Sequence, residues 1–220
     1  MKPSLRIDIA ADIVCPWCYI GLQSYWRAAE DLRQDFELTT QYRVYMLNPD
    51  HPLEGMDRVQ YYAAKFPDPE RRSQMADAMA KSASEIGVDF DPSIPTRLPN
   101  TRLAHQFIRY AQIKGVGDVF IEKLYEAYWR NDADIGDEEQ LCALAEAAGM
   151  EVKAAKMDVP ILAKDVDDEA MAMRRGGVDG VPTFIVNSRT GFAGALPPDQ
   201  LLGALRHAAS INEKGTGLES

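Results

Sequence analysis

The feature that most constrains this chain is a change of hydrophobic period around four residues, Cys15-Pro16-Trp17-Cys18. Before them, Leu5, Ile7 and Ile9 alternate with Arg6 and Asp8, the period of two of a strand. After them, Cys18, Leu22, Tyr25 with Trp26, Ala29 and Leu32 recur along one helical face. Pro16 suits the first helical turn, where its missing N–H costs nothing. Phe36, Leu38, Thr40, Tyr42, Val44 and Met46 then alternate over a second strand, which Asn48-Pro49-Asp50 ends.

The middle of the chain reads as helical. Met75, Met79, Ser82 and Ile86 share a face that stops at Gly87. Asn100-Thr101 can cap a helix bearing Ala104, Phe107, Ile108 and Ala111, closed by Gly115. Phe120, Leu124, Ala127 and Tyr128 make another, and Asp137 with Gln140 resembles a capping box before Leu141, Leu144, Ala145 and Ala148. Asp167 to Arg175 reads as a short helix before Gly176-Gly177. Thr183 to Asn187, a turn from Ser188 to Gly191, and Phe192 to Ala195 read as a hairpin. Pro198 opens a last helix with Leu201, Leu202, Leu205 and Ala208 on one face, and Ile211 to Ser220 reads as a frayed tail. The pattern is βαβ, a helical block, then ββα. It predicts an α/β domain from residues 1–47 and 176–220, interrupted by an all-helical insertion over 48–175.

Composition narrows the partners. The 220 residues carry 24 Lys and Arg against 34 Asp and Glu, a net charge of −10. That balance argues against nucleic acid and anionic membranes, which need clustered cations. Three cysteines cannot staple a chain of this length. Charges break up the apolar residues of Met1 to Asp8, unlike a secretory signal, and no later run has the length of a membrane helix. The expectation is a cytoplasmic protein, where thiols stay reduced unless they do chemistry.

The Cys15/Cys18 pair is where chemistry is expected. Cys15 falls at a helix start, where free backbone N–H groups and the positive end of the helix dipole favour thiolate over thiol. Cys18 lies one turn in, on the apolar face. This asymmetry casts Cys15 as the attacking sulfur and Cys18 as the resolving one, with Pro16 and Trp17 tuning the pair. The same spacing is half of a zinc site, but zinc needs four ligands. The remaining pool of Cys142, His51, His105 and His207 contains no second close pair, so redox chemistry is favoured and no metal is expected. A second signal is Gly177-Val178-Asp179-Gly180-Val181-Pro182-Thr183-Phe184. A proline opening a strand after such a turn permits a cis bond, and a trans proline at a strand start is the plain alternative.

The strand before Cys-Pro-Trp-Cys, the helical block, Gly-Val-x-Gly-Val-Pro-x-Phe and the final hairpin and helix together resemble the DsbA-like branch of the thioredoxin superfamily, in particular its FrnE-like cytoplasmic oxidoreductases. Pro99-Asn100-Thr101 with Ala104-His105, Asp134-Ile135-Gly136-Asp137 and Gly194-Ala195-x-Pro197 extend the match over residues 5 to 207. The resemblance implies a thioredoxin-like fold, a redox couple at Cys15 and Cys18, and a cis-proline at Pro182. It also implies that Val181 offers its backbone to an extended substrate, a form of strand addition. Partners are then protein, peptide or glutathione thiols and disulfides. No cofactor is bound, glutathione serves as a redox co-substrate, and dimerisation is a family-level expectation. The C-x4-C pair that some members carry is absent from this sequence.

Two other functions compete. A similar subgroup comprises the glutathione-dependent 2-hydroxychromene-2-carboxylate isomerases and kappa-class transferases; serine replaces the first cysteine there, whereas this chain has both. A peptide-binding, chaperone-like module is the other. Cys142 reads as a structural free thiol, and His105 as a hydrogen-bonded structural histidine. Asp12 reads as a cap of the helix entrance, with a buried proton relay as its alternative. Trp17 can form an apolar platform beside the pair, while Tyr25, Trp26, Tyr42 and Tyr45 read mostly as core.

Overall fold

The computed structural model describes residues 2–215. β1 (Ser4–Ala11) leads through a tight turn into α1 (Pro16–Asp35), and β2 (Glu37–Val44) returns parallel to β1, with Ser4 opposite Glu37 and Ala11 opposite Val44. The helical stretch follows. β3 (Met56–Asp57) precedes α2 (Arg58–Lys65) and α3 (Pro69–Glu85), and β4 (Arg97–Leu98) pairs antiparallel with β3. Then come α4 (Arg102–Ile113), α5 (Gly117–Asn131), α6 (Glu138–Ala147), α7 (Val152–Asp158), a 3-10 turn over Val159–Leu162, and α8 (Ala163–Arg175). β5 (Thr183–Val186) and β6 (Thr190–Ala193) form the hairpin, and α9 (Pro198–Gly215) ends the described chain.

The main sheet has the order β2-β1-β5-β6. β5 runs antiparallel to β1, pairing Ile7 with Val186 and Ala10 with Thr183, so residues more than 170 apart in sequence are neighbours. α1 and α9 pack together and bury Cys18, Leu22, Tyr25, Ala29 and Leu32 with Leu201, Leu205 and Ala208, the faces the periodicity predicts. α8 covers β2 from another direction, and this alters one expectation. The alternation of β1 places Asp8 on a polar face, yet Asp8 is buried. It is neutralised there: Arg43 donates to it at 2.7 Å and Arg6 at 2.9 Å, while Arg43 also reaches Glu169 of α8 at 2.7 Å. A buried carboxylate persists only with such partners.

Motif segments far apart in sequence meet in the helical stretch. Asn100 donates to the His51 carbonyl at 2.7 Å and accepts from the Arg102 N–H at 2.9 Å, closing the start of α4. A Cβ on Gly136 would lie 3.2 Å from Pro99 and 3.2 Å from the Asp134 carboxylate, so a side chain there would require one of these neighbours to shift slightly. Asp137 caps α6 through the Gln140 N–H, but the Gln140 side chain accepts from the Asp134 N–H instead of closing a capping box.

Some expectations need correction. α8 starts at Ala163, four residues before the predicted Asp167. The hairpin turn is shorter than predicted: three residues, Asn187 to Arg189, join the strands, with Asn187 and Ser188 at φ 49° and 57°, and β6 begins at Thr190 opposite Val186. α9 continues through Ile211 to Gly215, where a frayed tail was expected; residues 216–220 lie outside the described residues. Among the described residues no helix is long and apolar enough to cross a membrane.

Candidate active site

Cys15 is the N-cap of α1, with extended backbone (φ −84°, ψ 116°) and no side-chain capping bond. Its N–H donates to the Asp12 carbonyl at 3.1 Å, and its own carbonyl accepts from the N–H groups of Cys18 and Tyr19 at 3.1 and 3.2 Å. A tight turn therefore delivers the Cys15 thiol to the mouth of the helix, and Pro16 occupies the next position without wasting a donor. Cys15 is 5% exposed and Cys18 fully buried; both are free thiols. Burial pushes the Cys18 thiol well above its ordinary range. The hydrogen bond and charge of Cys15 add to that, while a hydrogen bond from the Asp12 backbone works against it. Pro16 and Trp17 are half-buried, with Trp17 packed at the edge of the core.

The opposite wall comes from the far end of the chain. The Cys15 Sγ lies 3.7 Å from the Val181 carbonyl, and the Val181–Pro182 peptide is cis. Two bonds fix this loop: the Pro182 carbonyl accepts from the Gly194 N–H at 2.9 Å, and Thr183 Oγ1 donates to the Gly180 carbonyl at 2.6 Å. The structure thus brings Cys15, Cys18, Pro16, Trp17, Val181 and Pro182 into one place. Sequence reasoning missed Gly21, one turn beyond Cys18. A Cβ there would stand 2.7 Å from Pro182 Cγ, so α1 and the proline ring approach closely only because position 21 is glycine. A glycine on the buried stripe of a 20-residue helix was the available signal.

Asp12 does not cap α1. The turn points its backbone carbonyl at Cys15, and its buried carboxylate accepts from the Leu47 N–H at 2.7 Å through Oδ2. Oδ1 lies 3.5 Å from Nε2 of the buried His105, and neither atom has a hydrogen-bond partner. His105 is therefore not the satisfied structural histidine expected. It forms, with Asp12, a buried acid–base pair behind the thiols, close enough for the Asp12 charge to disfavour ionisation of Cys18. The helical stretch also holds the turn. Tyr125 donates its hydroxyl to the Asp12 carbonyl at 3.0 Å, and Trp129 donates its indole N–H to the Ile13 carbonyl at 2.8 Å. These two residues, four apart on α5, are buried aromatics with a polar tip each, and both tips are used.

The remaining candidates lie elsewhere. Cys142 is buried on α6, and burial raises its thiol above the ordinary value. His51 packs against Tyr61 at 5.4 Å between ring centres, and His207 is exposed on α9. Among the described residues no group of three or more His, Cys, Asp or Glu could hold a metal ion. Tyr25, Tyr42 and Tyr45 are core, whereas Trp26 is half-buried and donates to the Tyr42 hydroxyl at 3.1 Å.

A model of the DSBA-like thioredoxin domain matches residues 6–206. The chain belongs to this family. The DSBA-like thioredoxin fold also dominates the structural resemblances. A probable DsbA oxidoreductase, SCO1869 from Streptomyces coelicolor, superposes with a TM-score of 0.82 at 23% identity, over 94% of this chain and 90% of that one. A 2-hydroxychromene-2-carboxylate isomerase gives a TM-score of 0.64 at 19% identity, over 98% of this chain and all of that one. The cytosolic disulfide reductase DsbM from Pseudomonas aeruginosa, solved with glutathione, gives 0.61 at 17% identity, over 97% and 100%. At these identities the superpositions speak to the fold of the DSBA-like domain alone.

Proposed function

We propose that this DSBA-like domain is a thiol–disulfide oxidoreductase that works through Cys15 and Cys18. The observation carrying the reading is the asymmetry of the pair: Cys15 sits at the helix mouth 3.7 Å from the Val181 carbonyl, and Cys18 is sealed one turn below. The Cys15 thiolate attacks one sulfur of a substrate disulfide and expels the other as thiolate, leaving a mixed disulfide. Cys18 then gives up its proton and attacks the Cys15 sulfur. The second substrate thiol leaves, and a Cys15–Cys18 disulfide remains, having passed two electrons to the substrate. Burial opposes ionisation of Cys18, so its proton needs an acceptor, and the Asp12–His105 pair behind it is suited to that role. An extended substrate lies along Val181, hydrogen-bonded to its backbone. Glutathione is the redox co-substrate that returns the pair to the dithiol in a cytoplasmic setting. The glutathione bound to DsbM supports that choice.

Replacing Cys15 with Ser is expected to abolish disulfide reduction in an insulin turbidity assay, and retained activity would sink the reading. A Cys18→Ser variant keeps the attacking sulfur but cannot resolve, so mixed disulfides with substrate are expected to accumulate on non-reducing gels. The isomerase reading finds its support in fold likeness. It predicts turnover of an aromatic substrate with glutathione in a Cys18→Ser variant, where no internal disulfide forms. A chaperone-like module would instead suppress aggregation with both thiols removed.

A further inference from the structure

Residues 58–72 of this acidic chain gather four cations, Arg58, Lys65, Arg71 and Arg72, that no carboxylate pairs with among the described residues. Several arginines elsewhere find acids: Arg43 and Arg109 share Glu169, and Arg102 holds Asp167, although Arg174 also rests on a ring and a carbonyl, those of Tyr45 and Met46. Arg58, Lys65, Arg71 and Arg72 have no carboxylate within ion-pair distance among the described residues and lean on aromatic rings and carbonyls instead. Arg58 stacks 4.8 Å over Tyr62 and 5.3 Å over Trp129, Lys65 lies 5.1 Å over Tyr61, and Arg71 lies 5.8 Å over Phe66. Arg72 donates to the carbonyls of Phe66 and Pro67.

Arg58 is the unusual member. It is only 9% exposed, and its Nη1 donates to the carbonyls of Pro92 and Pro95 at 2.6 and 3.4 Å, while Nε has no partner. Carbonyls and π faces solvate a guanidinium but cancel none of its charge, and a buried arginine normally has an acid beside it. It is also the first residue of α2, whose capping carboxylate, Asp57, accepts from the Gln60 N–H at 2.7 Å and makes no ion pair with Arg58. Arg58 and Arg72 line a cleft of about 290 Å³ whose other walls include Tyr62, Phe66, Met75 and Met79. That is roughly twice the size of a 150 Å³ apolar cavity that accepts benzene, so two fused rings fit.

We propose that this cleft is a binding site for a small apolar carboxylic acid, its ring system held among Tyr62, Phe66, Met75 and Met79 and its carboxylate paired with Arg58. An apolar wall with one desolvated guanidinium selects an acid over its neutral isostere, because the planar fork matches a carboxylate. The overall charge of −10 repels anions, so the selectivity belongs to this local cluster and not to a general field. The inference does not depend on thiol exchange.

The test is isothermal titration of the full chain with 2-naphthoate and with its neutral isostere 2-naphthamide. The acid is expected to bind saturably and at least tenfold more tightly than the amide. Arg58→Met is expected to bring the two within twofold of each other. Met75→Trp, which fills the cleft and leaves Arg58 in place, is expected to weaken both at least tenfold. An acid no tighter than its amide overturns the proposal, as does discrimination that survives Arg58→Met or affinities untouched by Met75→Trp. Should Arg58→Met fail to fold, the wild-type ratio and Met75→Trp decide the matter. Repeating the titration with Cys15 and Cys18 both replaced by serine is expected to give the same affinities, which separates this site from the redox reading.

Discussion

The two walls of the candidate site are built differently. On one side the main sheet places Val181 and Pro182 by backbone ladders: β5 is registered on β1, and Gly194 ties Pro182 to the end of β6. On the other side the helical stretch holds the turn before Cys15 with two side-chain donors, Tyr125 to Asp12 and Trp129 to Ile13. A ladder distributes its strength over many bonds, whereas a side-chain anchor is one bond that one substitution removes. Under the proposed function, the sheet wall sets where the Cys15 sulfur would meet a substrate, and the helical wall sets how rigidly that sulfur is presented.

The largest expected effect lies on the sheet wall. Gly21→Ala puts a methyl 2.7 Å from Pro182 Cγ and must displace α1 or the proline ring. Overpacking of this kind costs about 1–3 kcal/mol, and the disulfide-exchange rate is expected to fall tenfold or more. A normal rate would show that Pro182 need not sit where it does. On the helical wall, Trp129→Phe keeps one aromatic ring but removes the buried pyrrole ring and orphans the Ile13 carbonyl, a loss of at least about 1–3 kcal/mol in denaturant unfolding. Its exchange rate is expected to change by less than threefold. An effect on rate larger than that of Gly21→Ala would invert the comparison.

A pH series tests whether the walls stand or fall together. Burial raises the phenols of Tyr25 and Tyr42 on the sheet side and of Tyr125 and Tyr128 on the helical side. In the unfolded chain they ionise near the ordinary value of about 10. Above that pH the folded state therefore holds more protons, and stability falls as pH rises. The contribution is complete below pH 10 and is lost toward the raised folded values. The urea midpoint is expected to be flat near neutral pH, to begin falling at about pH 8.5 as the thiols of Cys18 and Cys142 ionise in the unfolded chain, and to drop more steeply from about pH 10 upward. Tyr25→Phe and Tyr128→Phe should each make the drop shallower; a change from only one of them would mean that the halves unfold separately. The smallest effect is expected at Cys142, buried midway along α6: Cys142→Ala should leave the exchange rate within twofold.

How much of this was legible depended on how many residues carried each signal. β1, α1 and β2 announce themselves because many successive side chains obey one period, and the switch between periods marks Cys15. α2 has eight residues and buries only Arg58, so it leaves no apolar stripe to read. β3 and β4 have two residues each and exist because they pair with each other. At the site, the residue types at 15, 18, 181 and 182 point to one another through a known motif. Asp12, His105, Tyr125, Trp129 and Gly21 act through contacts between distant segments that no local pattern encodes. The hydroxyl and indole tips on α5 find their acceptors only once the turn at Asp12 and Ile13 has been folded against them.

The most direct test of the central claim is a redox titration of the whole chain in glutathione buffers, with thiols alkylated and counted by mass spectrometry at each ratio. The account predicts one transition in which two thiols, Cys15 and Cys18, disappear together with the loss of two hydrogens while Cys142 remains alkylated throughout. The midpoint should follow a two-electron slope of about 30 mV per decade, and the transition should vanish in Cys15→Ser. Disulfide-exchange activity in a protein that never forms the Cys15–Cys18 bond at any ratio would contradict it.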